Sequence, residues 1–209
     1  MNTDFWRECD EILSPHYLDK NDICYYAREQ LHEGYSASDS NSLIFNYKKP
    51  VKYRNTNHWI YKEKAIEQFA KELKLLKLPD NAVLIPCPTS KPKGHHEYDS
   101  RILDTLNIFI SKYRPDIKIE ESVDVINPVP SAHAEGGTRN PDEIIKNYRW
   151  KGFTGDAPKT AFIVDDVINT AGHFKAVKNF IRSNVSSIKL YGVFWAIHIH
   201  NSSVGNTTS

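Results

Sequence analysis

Two adjacent carboxylates, Asp165 and Asp166, follow the apolar run Ala161-Phe162-Ile163-Val164 and precede a small-residue turn, Asn169-Thr170-Ala171-Gly172. The run is short and partly β-branched, which suits a strand covered on both faces of a parallel sheet. After the turn, Phe174, Val177, Phe180 and Ile181 repeat at helical spacing, so the turn opens a helix. The first amides of a helix lack intrahelical partners and sit at the positive end of its dipole, so main chain alone can hold a phosphate there. Paired acids cannot bind that phosphate. They accept hydrogen bonds from sugar hydroxyls or hold hydrated Mg2+, because hard cations prefer oxygen ligands. Phosphate on one side and a diol or metal ion on the other describe a sugar-phosphate site. Standing alone, two acids after a strand more often mark a solvated strand end; the turn and helix attached in order reverse that balance.

A second loop could complete the site. After the apolar run Ala82-Val83-Leu84-Ile85, residues 86–100 read PCPTSKPKGHHEYDS. Thr89 and Ser90 supply hydroxyls and Lys91 and Lys93 supply charge, a suitable combination for a pyrophosphate at the carboxyl end of a strand. The neighbouring His95 and His96 lack both an i, i+4 partner and metal-ligand spacing to a cysteine, so they read as loop histidines.

The stretch FIVDDVINTAGHF resembles the phosphoribosyl pyrophosphate (PRPP) motif of type I phosphoribosyltransferases: strand, two acids, two mostly apolar residues, then a Thr/Gly-rich 5′-phosphate loop. His173 stands where that family usually has Thr or Ser. The loop with Pro86 and Pro88 is also similar to one in competence-associated phosphoribosyltransferase-like proteins. The resemblance spans roughly residues 43–197 and implies an α/β fold of the type I phosphoribosyltransferase kind. That fold has a mainly parallel sheet flanked by helices, a small hood from the termini and often a homodimer. It implies that Asp165 and Asp166 face the ribose and Mg2+, that Asn169, Thr170, Ala171, Gly172 and His173 hold the 5′-phosphate, and that Thr89, Ser90, Lys91 and Lys93 hold pyrophosphate. Arg139, in the Gly/Pro-rich stretch before the central strand, joins the catalytic set as part of a loop that closes over PRPP. The partners implied are PRPP and a nitrogenous base or amine acceptor. A PRPP-binding regulatory module without turnover is the alternative, because a fold does not dictate transfer chemistry.

Elements must position these residues. Asp22 can cap a helix over Ile23, Tyr26, Ala27 and Leu31 that Gly34 ends, residues 35–42 read as a polar loop, and residues 43–47 (LIFNY) as a strand. Ala65, Ile66, Phe69, Ala70, Leu73 and Leu76 draw a helical stripe. Asp99 can cap a helix that buries Ile102, Leu103, Leu106 and Phe109. Residues 117–126 alternate as a strand near an edge, a short helix follows over residues 141–148, and residues 187–200 form a last apolar strand. In that strand Trp195 reads as core rather than as a base-stacking platform. The organisation expected is an N-terminal helical segment over residues 1–42, the α/β domain over 43–200 and a tail over 201–209.

The 209 residues suffice for one domain with a sizeable core. A formal charge of +1 gives no general pull toward nucleic acid or membrane surfaces. The basic, aromatic segment from Lys48 to Trp59, with Lys49, Lys52, Tyr53 and Arg54, keeps a nucleic-acid accessory role open, although such charges are more often solvated. Cys9, Cys24 and Cys87 are odd in number and scattered, as in reduced thiols. The first residues lack the pattern of a signal peptide and no apolar run reaches a membrane-spanning length, so a cytoplasmic protein is the expectation.

Overall fold

Alternation along the central strands decides the layers: Leu84, Phe162 and Val164 point into one apolar cluster, while Val83, Ile85, Ala161 and Ile163 point into another. Both faces of the sheet are therefore covered, as continuous apolar strands require. The computed structural model describes residues 5–9, 15–130 and 137–199.

The six-stranded sheet contains β1 (Arg7–Glu8), β2 (Cys24–Gln30), β3 (Val83–Pro86), β4 (Lys118–Ile119), β7 (Thr160–Ile168) and β8 (Lys189–His198), in the order β1-β2-β8-β7-β3-β4. All neighbours pair in parallel except β1 with β2. The register places Ile85 beside Ile163 and Asp165 beside Phe194. A two-stranded antiparallel ribbon, β5 (Val123–Val125) with β6 (Tyr148–Trp150), stands apart from this sheet. The chain is an α/β protein with a mostly parallel sheet flanked by helices.

One face carries α1 (Asp39–Tyr47), α2 (Trp59–Leu73) and α3 (Arg101–Lys112), and the other carries α5 (Gly172–Asn184). The short α4 (Pro141–Ile145) brings its half-buried Ile144 and Ile145 to the α5 side. The stripe on α2 is buried at Ala65, Ile66, Phe69, Ala70 and Leu73, and Phe69 stacks on Trp195 with ring centroids 4.9 Å apart. Trp195 is fully buried and donates its indole N–H to the Glu72 carboxylate at 2.5 Å, so it belongs to the core. Glu72 also accepts from Arg28 of β2, tying that strand to α2.

Three expectations are corrected. Residues 43–47 are the second half of helix α1, because Ser38 caps the helix by accepting from the Asn41 amide at 3.0 Å, and Asn41, Ile44 and Tyr47 turn inward at helical spacing. The segment after Asp22 is strand β2 and not a helix; its pairing with β8 supplies the backbone partners a helix would have supplied internally. The strand expected over residues 117–126 is broken in two. Glu120 lies between the halves, buried, and accepts from both the amide and the hydroxyl of Thr154 at 3.0 and 3.1 Å. The first half closes the edge of the main sheet and the second enters the ribbon. The helices expected around residues 63–76, 100–109 and 141–148 are present, as are the strands around Leu84, Ile163 and Val193.

Candidate functional site

β3 continues through α3 to β4 on one side of itself, while β7, its neighbour on the other side, continues through α5 to β8. The connections diverge here, and a divergence of this kind leaves a crevice beyond the carboxyl ends of the two strands. A cleft of about 350 Å³ occupies that place. Its lining brings together Thr89, Ser90 and Lys91 from the loop after β3, Asp165 and Asp166 from β7, the whole turn Asn169–His173, and Arg139. The loop after β3 and the β7 motif lie far apart in sequence, and the pairing of the two strands joins them. Lys93 is the exception: it lines an adjoining smaller hollow and pairs with Glu121 at 2.5 Å.

The two acids have opposite surroundings. Arg101 donates to one Asp166 oxygen through Nε at 3.0 Å and Nη2 at 2.6 Å, and Lys48 lies 3.3 Å from the other. The backbone amide of Val167 also donates to Asp166, at 2.7 Å. Burial alone would raise the pKa of Asp166; the charges of Lys48 and Arg101 outweigh it and hold the carboxyl well below the usual aspartate range. Asp165 lacks cations of this kind among the described residues and accepts from the Asp166 amide at 2.8 Å. Burial raises its pKa and the Asp166 charge adds to the shift, with the field of His173 opposing.

Behind Arg101 the network continues. Asp99 accepts from Arg101 Nη1 and from Lys62 Nζ, each at 2.7 Å, and Lys62 also donates to the Lys49 carbonyl at 2.9 Å. Burial lowers the pKa of Lys62 to about 8 in spite of Asp99. Asp99 does reach the start of α3, accepting from the Arg101 amide at 3.2 Å, but Ser100 holds the cap position and makes no side-chain cap bond.

Sequence reading therefore missed Arg101 altogether, and it left Lys48 in a stretch read as solvated, nucleic-acid-facing or, through the resemblance, a hood with a ligand role; the structure places Lys48 in the cleft lining. A lone Arg opening a helix carries no signal when its partner, Asp166, sits on a strand far along the chain. Of the rest of that basic stretch, Lys49 reaches Asn46 and the Tyr61 ring, and Arg54 lies over Trp59 at 5.4 Å.

The turn is shaped by two features. Ala171, at φ 65°, ψ 12°, takes the left-handed conformation that sends the chain into α5. At Gly172 a Cβ would meet the Arg139 carbonyl oxygen at 2.0 Å, so only glycine admits the backbone of Arg139. From the opposite side the Tyr17 amide donates to the Thr170 carbonyl at 2.9 Å, and Asp22, whose side chain is fully buried, is clamped by Lys175 and Lys178 of α5. The Gly/Pro-rich stretch expected to close over the site is described only up to Pro130 and from residue 137 onward; its centre, residues 131–136, lies outside the described residues.

Mg2+ was the ion expected at the acid pair. Mg2+ demands near-octahedral oxygen coordination and gives up its waters reluctantly. Asp166, neutralised by two cations, does not suit it, and the ligand groups grouped with Asp165 are the Cys87 thiol and the His173 imidazole. The pair does not fit as a joint Mg2+ ligand set.

The crevice has the amides opening α5 on one wall and the hydroxyl and ammonium groups of Thr89, Ser90 and Lys91 on another. No protein-family model matches the chain, and no curated protein matches it. No helix among the described residues is long and apolar enough to cross a membrane.

Proposed function

We propose that the cleft binds PRPP and that the chain is a type I phosphoribosyltransferase-like protein, transferring the phosphoribosyl group to a nitrogenous base or amine with release of pyrophosphate. One observation carries this reading: the loop after β3, the Asp165–Asp166 pair and the turn Asn169–His173 meet in one cleft at the point where the sheet connections diverge. The mostly parallel sheet flanked by helices is compatible with that fold kind.

In this proposal the 5′-phosphate lies against the amides opening α5 and the hydroxyl of Thr170. Asp165 accepts from the ribose hydroxyls. Thr89, Ser90, Lys91 and Arg139 hold the pyrophosphate and neutralise charge as the bond from C1 to its oxygen breaks and the acceptor nitrogen bonds to C1. The acceptor's proton leaves with solvent. Asp166 acts through Arg101, fixing the strand end and not the substrate. Mg2+ belongs to the proposal as counter-ion of the substrate's pyrophosphate, since Asp166 is already neutralised. Incubation with PRPP, Mg2+ and a panel of bases should release pyrophosphate.

The second reading, a PRPP-binding module without turnover, is favoured by the same ion pairs. With Arg101 and Lys48 on Asp166, one of the two acids is withdrawn from any ribose. Saturable PRPP binding with no pyrophosphate released from any base would select this reading over transfer.

A further inference from the structure

Cys87, Asp165 and His173 come from three different elements, yet their ligand atoms all lie within 4.8 Å of one another at the floor of the cleft. The Cys87 amide donates to the Val164 carbonyl at 2.8 Å, continuing the β3–β7 ladder by one residue and placing the thiol beside Asp165. His173 enters from the first turn of α5. Cys87 is buried, whereas Asp165 and His173 are half-buried.

We propose that these three side chains form a binding site for a borderline-soft dication of the Zn2+ kind, with a fourth position open to the cleft. Thiolate, imidazole and carboxylate are the ligand set that Zn2+ accepts, and three protein ligands with one open position is its usual arrangement in a functional cleft. Bonds of about 2.0–2.3 Å to a tetrahedral ion put ligand atoms about 3.3–3.7 Å apart, so the cluster contracts by at most about 1.5 Å. His173, half-buried on the opening turn of α5, has the freedom to supply that movement.

Behind the cluster, Lys48, Lys62 and Arg101 pair with Asp99 and Asp166. A dication held by the Cys87 thiolate, the Asp165 carboxylate and a neutral imidazole adds no net charge to a low-dielectric floor. On coordination the Cys87 thiol would lose its proton outright.

The metal site shares Asp165 and His173 with the proposed PRPP site, and its test is read without PRPP. Co2+ is the probe, because a thiolate bound to Co2+ gives a near-ultraviolet charge-transfer band that carboxylate or imidazole ligation does not. Titration of the full chain should produce that band at one equivalent, and Zn2+ should displace it. Cys87→Ser should abolish the band. His173→Ala, at a half-buried position, should weaken Co2+ binding at least about tenfold and leaves a folded comparator should the core-facing Cys87 variant fail to fold. Cys9→Ser and Cys24→Ser should keep the band. No thiolate band in the wild-type chain, or a band that survives Cys87→Ser or keeps its affinity in His173→Ala, would overturn the assignment.

Discussion

The guanidinium of Arg101 donates twice to a single oxygen of Asp166, through Nε at 3.0 Å and Nη2 at 2.6 Å, with both groups largely shielded from solvent. This pair separates the two adjacent acids into different roles. Asp166 is bound to the scaffold, and in the proposed function Asp165 is the carboxylate that meets the ligand.

Replacing Arg101 by Met removes one partner and leaves Asp166 buried with Lys48 alone. Breaking a buried pair from one side costs about 3–5 kcal/mol, and the remaining lysine places this case at about 3 kcal/mol. Chemical unfolding should show that loss, and adding Asp166→Asn to the same chain should recover part of it.

The pH dependence follows from the sign of the shift. Asp166 has a folded-state pKa below its ordinary value of 3.8, so its contribution is complete above that value and is lost as the pH falls through the folded one. Wild-type stability should therefore decline in acid below about pH 4 more steeply than that of Asp166→Asn. Asp165 behaves oppositely: its raised pKa means that ionisation destabilises the fold as the pH rises. Asp165→Asn should raise neutral-pH stability by about 1 kcal/mol while removing the ligand's carboxylate. A melting temperature unchanged or lowered by that substitution would contradict the assignment.

Lys62 titrates near pH 8 in the folded protein because burial disfavours its charge. Between that value and the ordinary lysine value of 10.5 the unfolded chain holds more protons at this position, so Lys62 contributes increasing stability as the pH rises. The stability of wild type relative to Lys62→Met should improve across that interval. A flat difference would show that Lys62 stays charged.

The turn into α5 offers paired substitutions. Ala171→Gly relieves a left-handed alanine and should stabilise by about 1 kcal/mol. Gly172→Ala drives a methyl into the Arg139 carbonyl, 2.0 Å away, and should destabilise by about 1–3 kcal/mol. Differential unfolding of the two variants checks both signs.

The centre of the molecule was legible in the sequence and its flanks were not, for physical reasons. A strand buried on both faces and a helix with one apolar stripe announce themselves locally, as at Ile163 and at Phe69. Ser38-Asp39-Ser40-Asn41 is a capping signal too, but its serines and asparagine read equally well as a polar loop, and the helix through Ile44 went with it. Tyr25 and Tyr26 carry strand propensity, yet Ile23, Tyr26, Ala27 and Leu31 also match a helical period, and only β8 decides between them. The site divided in the same way. Asp165, Thr170 and Gly172 lie on one continuous motif and could be read together. Arg101 and Lys48 matter through Asp166, and Cys87 through Asp165 and His173. Those partners are distant in the chain, and no spacing rule reaches that far.

Calorimetric titration of the chain with PRPP tests the central claim most directly. The account predicts a single saturable site, lost in the folded Asp165→Asn variant and weakened in Gly172→Ala. Absence of binding to the wild-type chain, or unchanged affinity in Asp165→Asn, would contradict it.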